Sequence, residues 1–258
     1  MRQVKSTVVA KESLTKQIFR LTLFAPEIAQ EARPGQFVHL RCGTEQSFIL
    51  RRPFSIHQVV GQETIDVLIR VVGQGTRWLS ERSPKDSLDC LGPLGNGFAI
   101  DPRVDRAMIV AGGIGVAPMV FLARYLFDAD VRAHALVGAI TAADLLDVME
   151  LKRLTRRVFV TTDDGTQGTK GVVTDILAEH LEAIAPQVVY ACGPEAMLRN
   201  VAGICARFDI DCQVSLEARM ACGIGACLGC AVETADGYRN VCSEGPVFLS
   251  EELGWGRG

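Results

Sequence analysis

Residues 222–230 read CGIGACLGC, three cysteines and three glycines in nine positions with almost no bulk. Such a stretch is organised by whatever its thiols hold. Cys222, Cys227 and Cys230 are spaced C-x4-C-x2-C, and Cys242 follows in YRNVCSEGP. The x4/x2 spacing with a distant fourth cysteine is the plant-type arrangement that wraps a [2Fe–2S] cluster. Gly223, Gly225 and Gly229 allow a tight loop and leave backbone N–H groups free to face negative sulfurs. Between Cys230 and Cys242, AVETADGYRNV predicts two short strands turning at Asp236–Gly237, a hairpin that returns Cys242 to Cys230. The rival is a four-cysteine zinc site, which usually shows two C-x2-C-like pairs; here one pair is stretched and the last cysteine stands alone.

The chain has nine cysteines and no export signal in MRQVKSTVVAKES, which argues against a disulfide framework. Cys42, Cys90, Cys205 and Cys212 read as small buried hydrophobes. A net charge of −3 gives no electrostatic footprint for nucleic acid or an anionic membrane surface. The longest apolar run, Ala107 to Ala123, is interrupted by three glycines and Pro118, so it reads as strand–turn–helix and not as a membrane span. The expectation is a cytoplasmic protein.

Across 258 residues the rhythm of the sequence changes twice. Up to about residue 101, QIFRLTLFAP, GQFVHLRC, TIDVLIRVVG and DSLDCLGPLG are short β-rich runs between turn signals, which predict an antiparallel barrel or sandwich. Over 102–216 the buried runs RAMIVA, AHALVGA, RVFVTT and VVYACG alternate with amphipathic stretches, which predicts a parallel sheet covered on both faces, with CQVSLEARM as its last strand and exit. Residues 217–258 read as a small cysteine- and glycine-rich module. The fold class expected is β plus α/β.

Two further motifs bear on chemistry. In RRPFSI, residues 51–56, an arginine is placed to make bidentate bonds to a pyrophosphate and Ser55 to hydrogen-bond a flavin ring; a surface proline turn is the plain alternative. LIR at 68–70 and GQGT at 73–76 add a second arginine and a glycine turn open to phosphate oxygens. In GGIGVAP, Gly112, Gly113 and Gly115 follow a strand and precede a helix, a place that favours a phosphate, although the run is not G-x-G-x-x-G. CGPEAM repeats the geometry, with Cys192 and Gly193 ending a strand and Pro194 opening a helix. Two such turns at strand ends predict one crevice for one dinucleotide. Asp144, with no lysine or arginine in AITAADLLDVME, favours NAD over NADP, and reads equally as a helix-start residue.

In this order the pieces resemble the ferredoxin-reductase superfamily, and within it the electron-transfer subunits of NAD-dependent dihydroorotate dehydrogenases. The likeness spans essentially the whole chain and is carried most strongly by SLEARMACGIGACLGC and VCSEGPVF. It implies an FAD-binding barrel over 1–101, an NAD-binding domain over 102–216 and a [2Fe–2S] module over 217–258. It implies FAD contacts at Arg52, Pro53, Phe54, Ser55, Leu68, Ile69, Arg70, Gly75 and Thr76, and cluster ligands at Cys222, Cys227, Cys230 and Cys242. Phe54 stands where the superfamily usually has tyrosine, which fits the dihydroorotate branch. The resemblance further implies an FMN-containing catalytic partner in a heterotetramer, electrons passing through the cluster and FAD to NAD+, and a place in pyrimidine synthesis. Leu228 and Phe248 read first as buried within the module, with contact to the partner as the alternative. No side chain is expected to act as acid, base or nucleophile, and His39, His57, His134 and His180 read as structural. A reductase subunit for a ferredoxin, sulfide or hydrogenase system and a non-catalytic redox sensor are the rival functions.

Overall fold

The alternating run IFRLTLF does form a strand, and five others close with it into a ring. In the computed structural model, which describes residues 1–43 and 48–255, the first six strands are β1 (Arg2–Ser13), β2 (Ile18–Phe24), β3 (Phe37–Leu40), β4 (Arg52–Val60), β5 (Thr64–Arg70) and β6 (Ser87–Leu94). They form a closed barrel in the order β1-β2-β5-β4-β3-β6, every pair antiparallel. Closure falls to β1, which pairs with both β2 and β6; its register slips between Val8 and Ala10, a bulge that bends the strand. Val8, Leu21, Leu23, Val38, Leu40, Ile56 and Val67 are among its buried apolar residues, with Ile28 of the short helix α1 (Pro26–Ala29).

Two local readings change. RRPFSI is the start of strand β4 and no turn, because Arg52 to Ser55 pair in register with Leu40 to Phe37 of β3. GQGT is not a turn either: Gly73 caps α2 (Gln74–Ser80), so Gly75 and Thr76 lie in its first turn.

The second unit is a seven-stranded sheet in the order β10-β9-β8-β7-β11-β12-β15. Its strands are β7 (Arg106–Gly112), β8 (Arg132–Ala139), β9 (Val158–Thr162), β10 (Thr169–Lys170), β11 (Val188–Cys192), β12 (Asp211–Ser215) and β15 (Val247–Leu249). All pairs are parallel except β12 with β15. Met108 to Ala111 have no exposed surface, as expected of a central strand covered on both sides. The helices between strands are α3 (Ala117–Asp128), α4 (Val148–Leu154), α5 (Val173–Ile184) and α6 (Glu195–Arg207). From β7 the chain winds outward through β8, β9 and β10, then returns to the other side of β7 as β11. That reversal makes the β7–β11 pair the switch point, where open α/β sheets bind ligands beyond the strand carboxyl ends.

The tail, read from the sequence as one module over 217–258, is shared out. Residues 217–232 and 240–246 belong with the barrel, and 233–239 and 247–258 with the sheet. The expected hairpin is present as β13 (Ala231–Thr234) and β14 (Gly237–Asn240). CQVSLEARM ends the parallel part as foreseen, but β15 adds an antiparallel edge strand beyond it. Phe248 is correspondingly 2% exposed and paired with Val214, so it is core and not a partner contact.

Candidate functional site

The cysteine loop is built on the barrel. Asn96 donates its backbone N–H to the carbonyl of Gly245 at 2.6 Å, and its amide to the carbonyl of Glu244 at 3.0 Å. The Val241 N–H reaches the Cys230 carbonyl at 3.1 Å, which is how the hairpin brings Cys242 back. Backbone N–H groups then face three of the four sulfurs: Ile224 to Cys222 Sγ at 3.4 Å, Gly225 to Cys242 Sγ at 3.1 Å, and Cys242 to Cys230 Sγ at 3.4 Å. Cys230 and Cys242 are buried, Cys222 half-buried and Cys227 exposed.

Cys222 interacts with the Cys227 side chain, and Cys242 with Cys230 and also with Cys222. Among the described residues no group of three or more cysteines, histidines or carboxylates gathers as the ligands of one metal ion would. The stretched C-x4-C-x2-C spacing with a lone distant fourth cysteine, and the N–H groups on three of the sulfurs, suit a two-iron cluster better than a single tetrahedral zinc. Burial pushes the Cys222 thiol up, but the N–H groups of Ile224, Cys227 and Ala226 and the Cys227 side chain outweigh it and bring it down to about 6. Burial, and then the neighbouring Cys230, push Cys242 up to about 12 against the pull of the Gly225 N–H. A donor set of soft sulfurs ringed by N–H groups fits an iron–sulfur cluster.

On the barrel, the β3–β4 pair sorts the RPFS residues onto two faces. Pro53 and Ser55 lie opposite His39 and Phe37, while Arg52 and Phe54 lie opposite Leu40 and Val38. Arg51 is committed to Asp89, with a 2.6 Å ion pair. Arg52 instead spans the carbonyls of Leu50 and Arg51 at 2.8 and 3.1 Å. A side-chain carbon on Gly75 would lie 3.8 Å from Arg52 Nε and 3.4 Å from Cys42, so the fold brings Arg52 and Gly75 together. The Thr76 hydroxyl is occupied locally, accepting the N–H groups of Val72 and Gly73. Leu68 and Ile69 bury their side chains and leave Arg70 exposed. Those two can offer a flavin only backbone.

In the second unit the two glycine turns follow β7 and β11, the strands of the switch point. Gly113–Val116 form a single 3-10 turn and α3 starts at Ala117, so the glycines sit ahead of the helix and not in it. Pro194 is the cap of α6, one position before its first turn. The turns touch: a carbon added to Gly115 would stand 2.4 Å from the Cys192 carbonyl oxygen and 2.7 Å from the Gly193 nitrogen. Asp144 lies just past β8, next to β7 in the sheet, and accepts the Thr141 hydroxyl at 3.1 Å.

One feature has no counterpart in the sequence reading, and a second, His39, is read there only as structural. The loop after β9, DDGTQGTKG, stands at another strand carboxyl end and is tied to the β8 loop by the Ala142 N–H on Thr166 at 2.8 Å; its density of glycine and aspartate was the available signal. His39 is the other. It is fully buried, with both ring nitrogens unpartnered, and burial first, then Arg51 and Arg52, push its pKa down to about 4. A histidine inside the apolar run FVHL was the sign.

Comparison with known proteins agrees with this geometry. Three family models match in succession: an oxidoreductase FAD-binding domain over 5–98, an oxidoreductase NAD-binding domain over 109–203, and the iron–sulfur cluster binding domain of dihydroorotate dehydrogenase B over 217–254. The dihydroorotate dehydrogenase B (NAD(+)) electron transfer subunit of Desulforamulus reducens is 38% identical, with 96% of this chain and 97% of that protein covered. Its counterpart from Clostridium acetobutylicum is 41% identical over 86% of this chain and 87% of that one. Among solved structures, an NADH-dependent reduced ferredoxin-NADP oxidoreductase superposes with a TM-score of 0.88 at 30% identity, covering 98% of this chain and 90% of that chain. The barrel, the parallel sheet and the C-terminal cysteine segment are thus a ferredoxin-reductase-like fold with FAD, NAD and iron–sulfur binding regions. Identity of this level over nearly the full length decides the matter: the chain belongs to the family of dihydroorotate dehydrogenase B electron transfer subunits.

Proposed function

We propose that this chain carries electrons from a catalytic partner that oxidises dihydroorotate on FMN to NAD+, as part of pyrimidine synthesis, and works in the cytoplasm. The observation that carries the reading is the cysteine loop, with backbone N–H groups on three of its sulfurs, seated on the same barrel that bears the β3–β4 strand pair. When bound, the cluster supplies single-electron transfer and FAD the exchange between one electron and the pair that leaves as hydride. In this reading Cys222, Cys227, Cys230 and Cys242 hold the cluster, Arg52 grips the FAD pyrophosphate with Gly75 beside it, and Ser55 bonds the ring. The two glycine turns, with Cys192, Gly193 and Pro194, receive the nicotinamide dinucleotide. No helix among the described residues is long and apolar enough to cross a membrane.

The partner would dock beside the cysteine loop. Leu228 is 64% exposed and Ile224 47% exposed, on either side of exposed Cys227. Leu228 is moreover held at φ 59°, a left-handed conformation that a branched side chain adopts only under constraint. A heterotetramer on a dimer of the partner is the assembly proposed. The test is reconstitution: the chain is mixed with the FMN subunit, dihydroorotate and NAD+, and NADH is followed. NADH should form only when both subunits are present, and formation by either subunit alone defeats the reading.

Arg52→Ala is expected to cost about 1.5–3 kcal/mol of FAD binding through the lost charge-assisted pair, roughly 10- to 150-fold in Kd. FAD retention on dilution measures it, and release of FMN instead of FAD by acid counts against the whole assignment.

A second reading, a reductase subunit serving a ferredoxin, is favoured by the 30% identical NADH-dependent ferredoxin-NADP oxidoreductase. Nucleotide preference bears on both. With Asp144 at the end of β8, NADH is expected to exceed NADPH in kcat/KM by roughly tenfold or more, about 1.4 kcal/mol of discrimination. Equal efficiencies would remove Asp144 from the argument.

A further inference from the structure

Strand β3 buries all four of its side chains, Phe37, Val38, His39 and Leu40. A histidine there is expensive unless its ring nitrogens find partners, and neither Nδ1 nor Nε2 of His39 has one. Among the described residues it is the histidine with both nitrogens so placed.

What the ring meets is the cysteine loop. A side-chain carbon at Gly223 would stand 2.6 Å from Nδ1 and 2.8 Å from Cε1 of His39. The Nδ1 edge therefore rests against the residue that follows Cys222. Only glycine fits there, for reasons of space and because φ is +74°. Phe37 packs edge-on against the imidazole with centroids 5.9 Å apart. Alternation puts Pro53 and Ser55 of the flavin motif on the same sheet face as His39 and Phe37. His39 thus sits on the strand paired with β4 and rests against the cysteine loop, inside one unit.

Backbone N–H groups serve three cysteine sulfurs. A [2Fe–2S] cluster presents four thiolates and two sulfides, so acceptor capacity is left over. Hydrogen bonds to those sulfurs are one of the means by which a protein sets the cluster's reduction potential. They strengthen when the cluster gains an electron, and so favour the reduced form.

We propose that His39 donates a hydrogen bond from Nδ1 to a sulfur of the iron–sulfur cluster, and that this bond raises the cluster's reduction potential relative to the flavin's. The proposal rests on the reading of Cys222, Cys227, Cys230 and Cys242 as the ligands. A neutral imidazole has one N–H to give, and the Nδ1 edge is the one turned to the loop.

The experiment uses the full chain carrying FAD and cluster, labelled with 15N at histidine alone and reduced with dithionite. Pulsed EPR of the reduced cluster is expected to show an imidazole 15N coupling. Redox titration of His39→Leu is expected to shift the cluster's one-electron equilibrium at least tenfold toward the oxidised form, ~59 mV, with the flavin potential unmoved. His39→Asn, which keeps a donor near the Nδ1 position, is expected to recover most of the shift. A cluster shown by iron and sulfide assay, with no histidine coupling in the unaltered protein, overturns the proposal and leaves the ligand set standing. A flavin potential that moves while the cluster's does not also overturns it, because the bond then goes to the flavin. Protein that binds no iron–sulfur cluster brings down the ligand reading and this proposal together. Should the leucine variant fail to hold its cluster, the coupling in the unaltered protein and the asparagine variant decide.

Discussion

Cys227→Ser is expected to reduce dihydroorotate-dependent NADH formation in the reconstituted complex by at least roughly 100-fold, beyond the 10- to 100-fold typical of changes around a metal's ligands. The variant is expected to keep FAD and to pass electrons from NADH to dyes. Selectivity is expected because Cys227 is exposed, so serine removes a sulfur donor without opening a hole in packed structure. The same change at Cys230, buried at the base of the hairpin, tests ligand and packing together and is the poorer experiment. Loss of brown colour, iron and labile sulfide in the Cys227 variant, with flavin content steady, is the expected set of results. Full NAD-dependent turnover in that variant means the electrons go another way. Stoichiometric zinc without labile sulfide in the anaerobically prepared wild type means the loop holds a different metal.

Gly115→Ala is expected to cripple the nicotinamide site. The added carbon would meet the Cys192 carbonyl carbon at 2.6 Å and its oxygen at 2.4 Å, both backbone atoms at the end of a hydrogen-bonded central strand. Neither has a rotamer to yield, so the turn before α3 must move away from β11. Overpacking of this kind costs about 1–3 kcal/mol, occasionally more, and the same order lost from dinucleotide binding is roughly 5- to 150-fold. The measurement is the rate of flavin reduction by NADH against NADH concentration, with dithionite reduction as the control that must not change. Gly112→Ala is the comparison: its nearest neighbour is the Met197 side chain, which can swing aside, so a milder effect is expected. Equal losses at the two glycines would show that closeness to backbone is not what matters.

Much of this molecule is legible in its sequence, and what is not has physical causes. The β-rich and α/β halves show because burial imposes its period on IFRLTLF and RAMIVA. The iron–sulfur segment shows because C-x4-C-x2-C with a distant fourth cysteine is a spacing that little else requires. β1 and β4 are hidden: β1 faces solvent along most of its length, and β4 opens with an arginine and a proline that, just after Arg51, locally resemble a turn. Pairing with β3 overrides that local signal, since it places Arg52 to Ser55 opposite Leu40 to Phe37. GQGT misleads in the same manner, because glycine at a helix cap and glycine in a turn look alike in one dimension. His39 is visible in the sequence as a histidine inside the apolar run FVHL, but its neighbours are not. Its surroundings come from residues near 223, and no local pattern announces that they meet.

The interleaving of the tail has a consequence for how the molecule is made. The chain passes from one unit to the other at five boundaries, after residues 97, 216, 232, 239 and 246. A nascent chain that has emerged only to residue 216 has all six barrel strands but not the segment that covers His39, and its sheet still lacks the β15 edge. The barrel unit is not finished until residue 246 has emerged, and the sheet unit needs residues beyond that. The four cysteines are all present only once Cys242 has emerged, and a chain cut between residues 216 and 240 would leave both units short of a segment instead of sparing one.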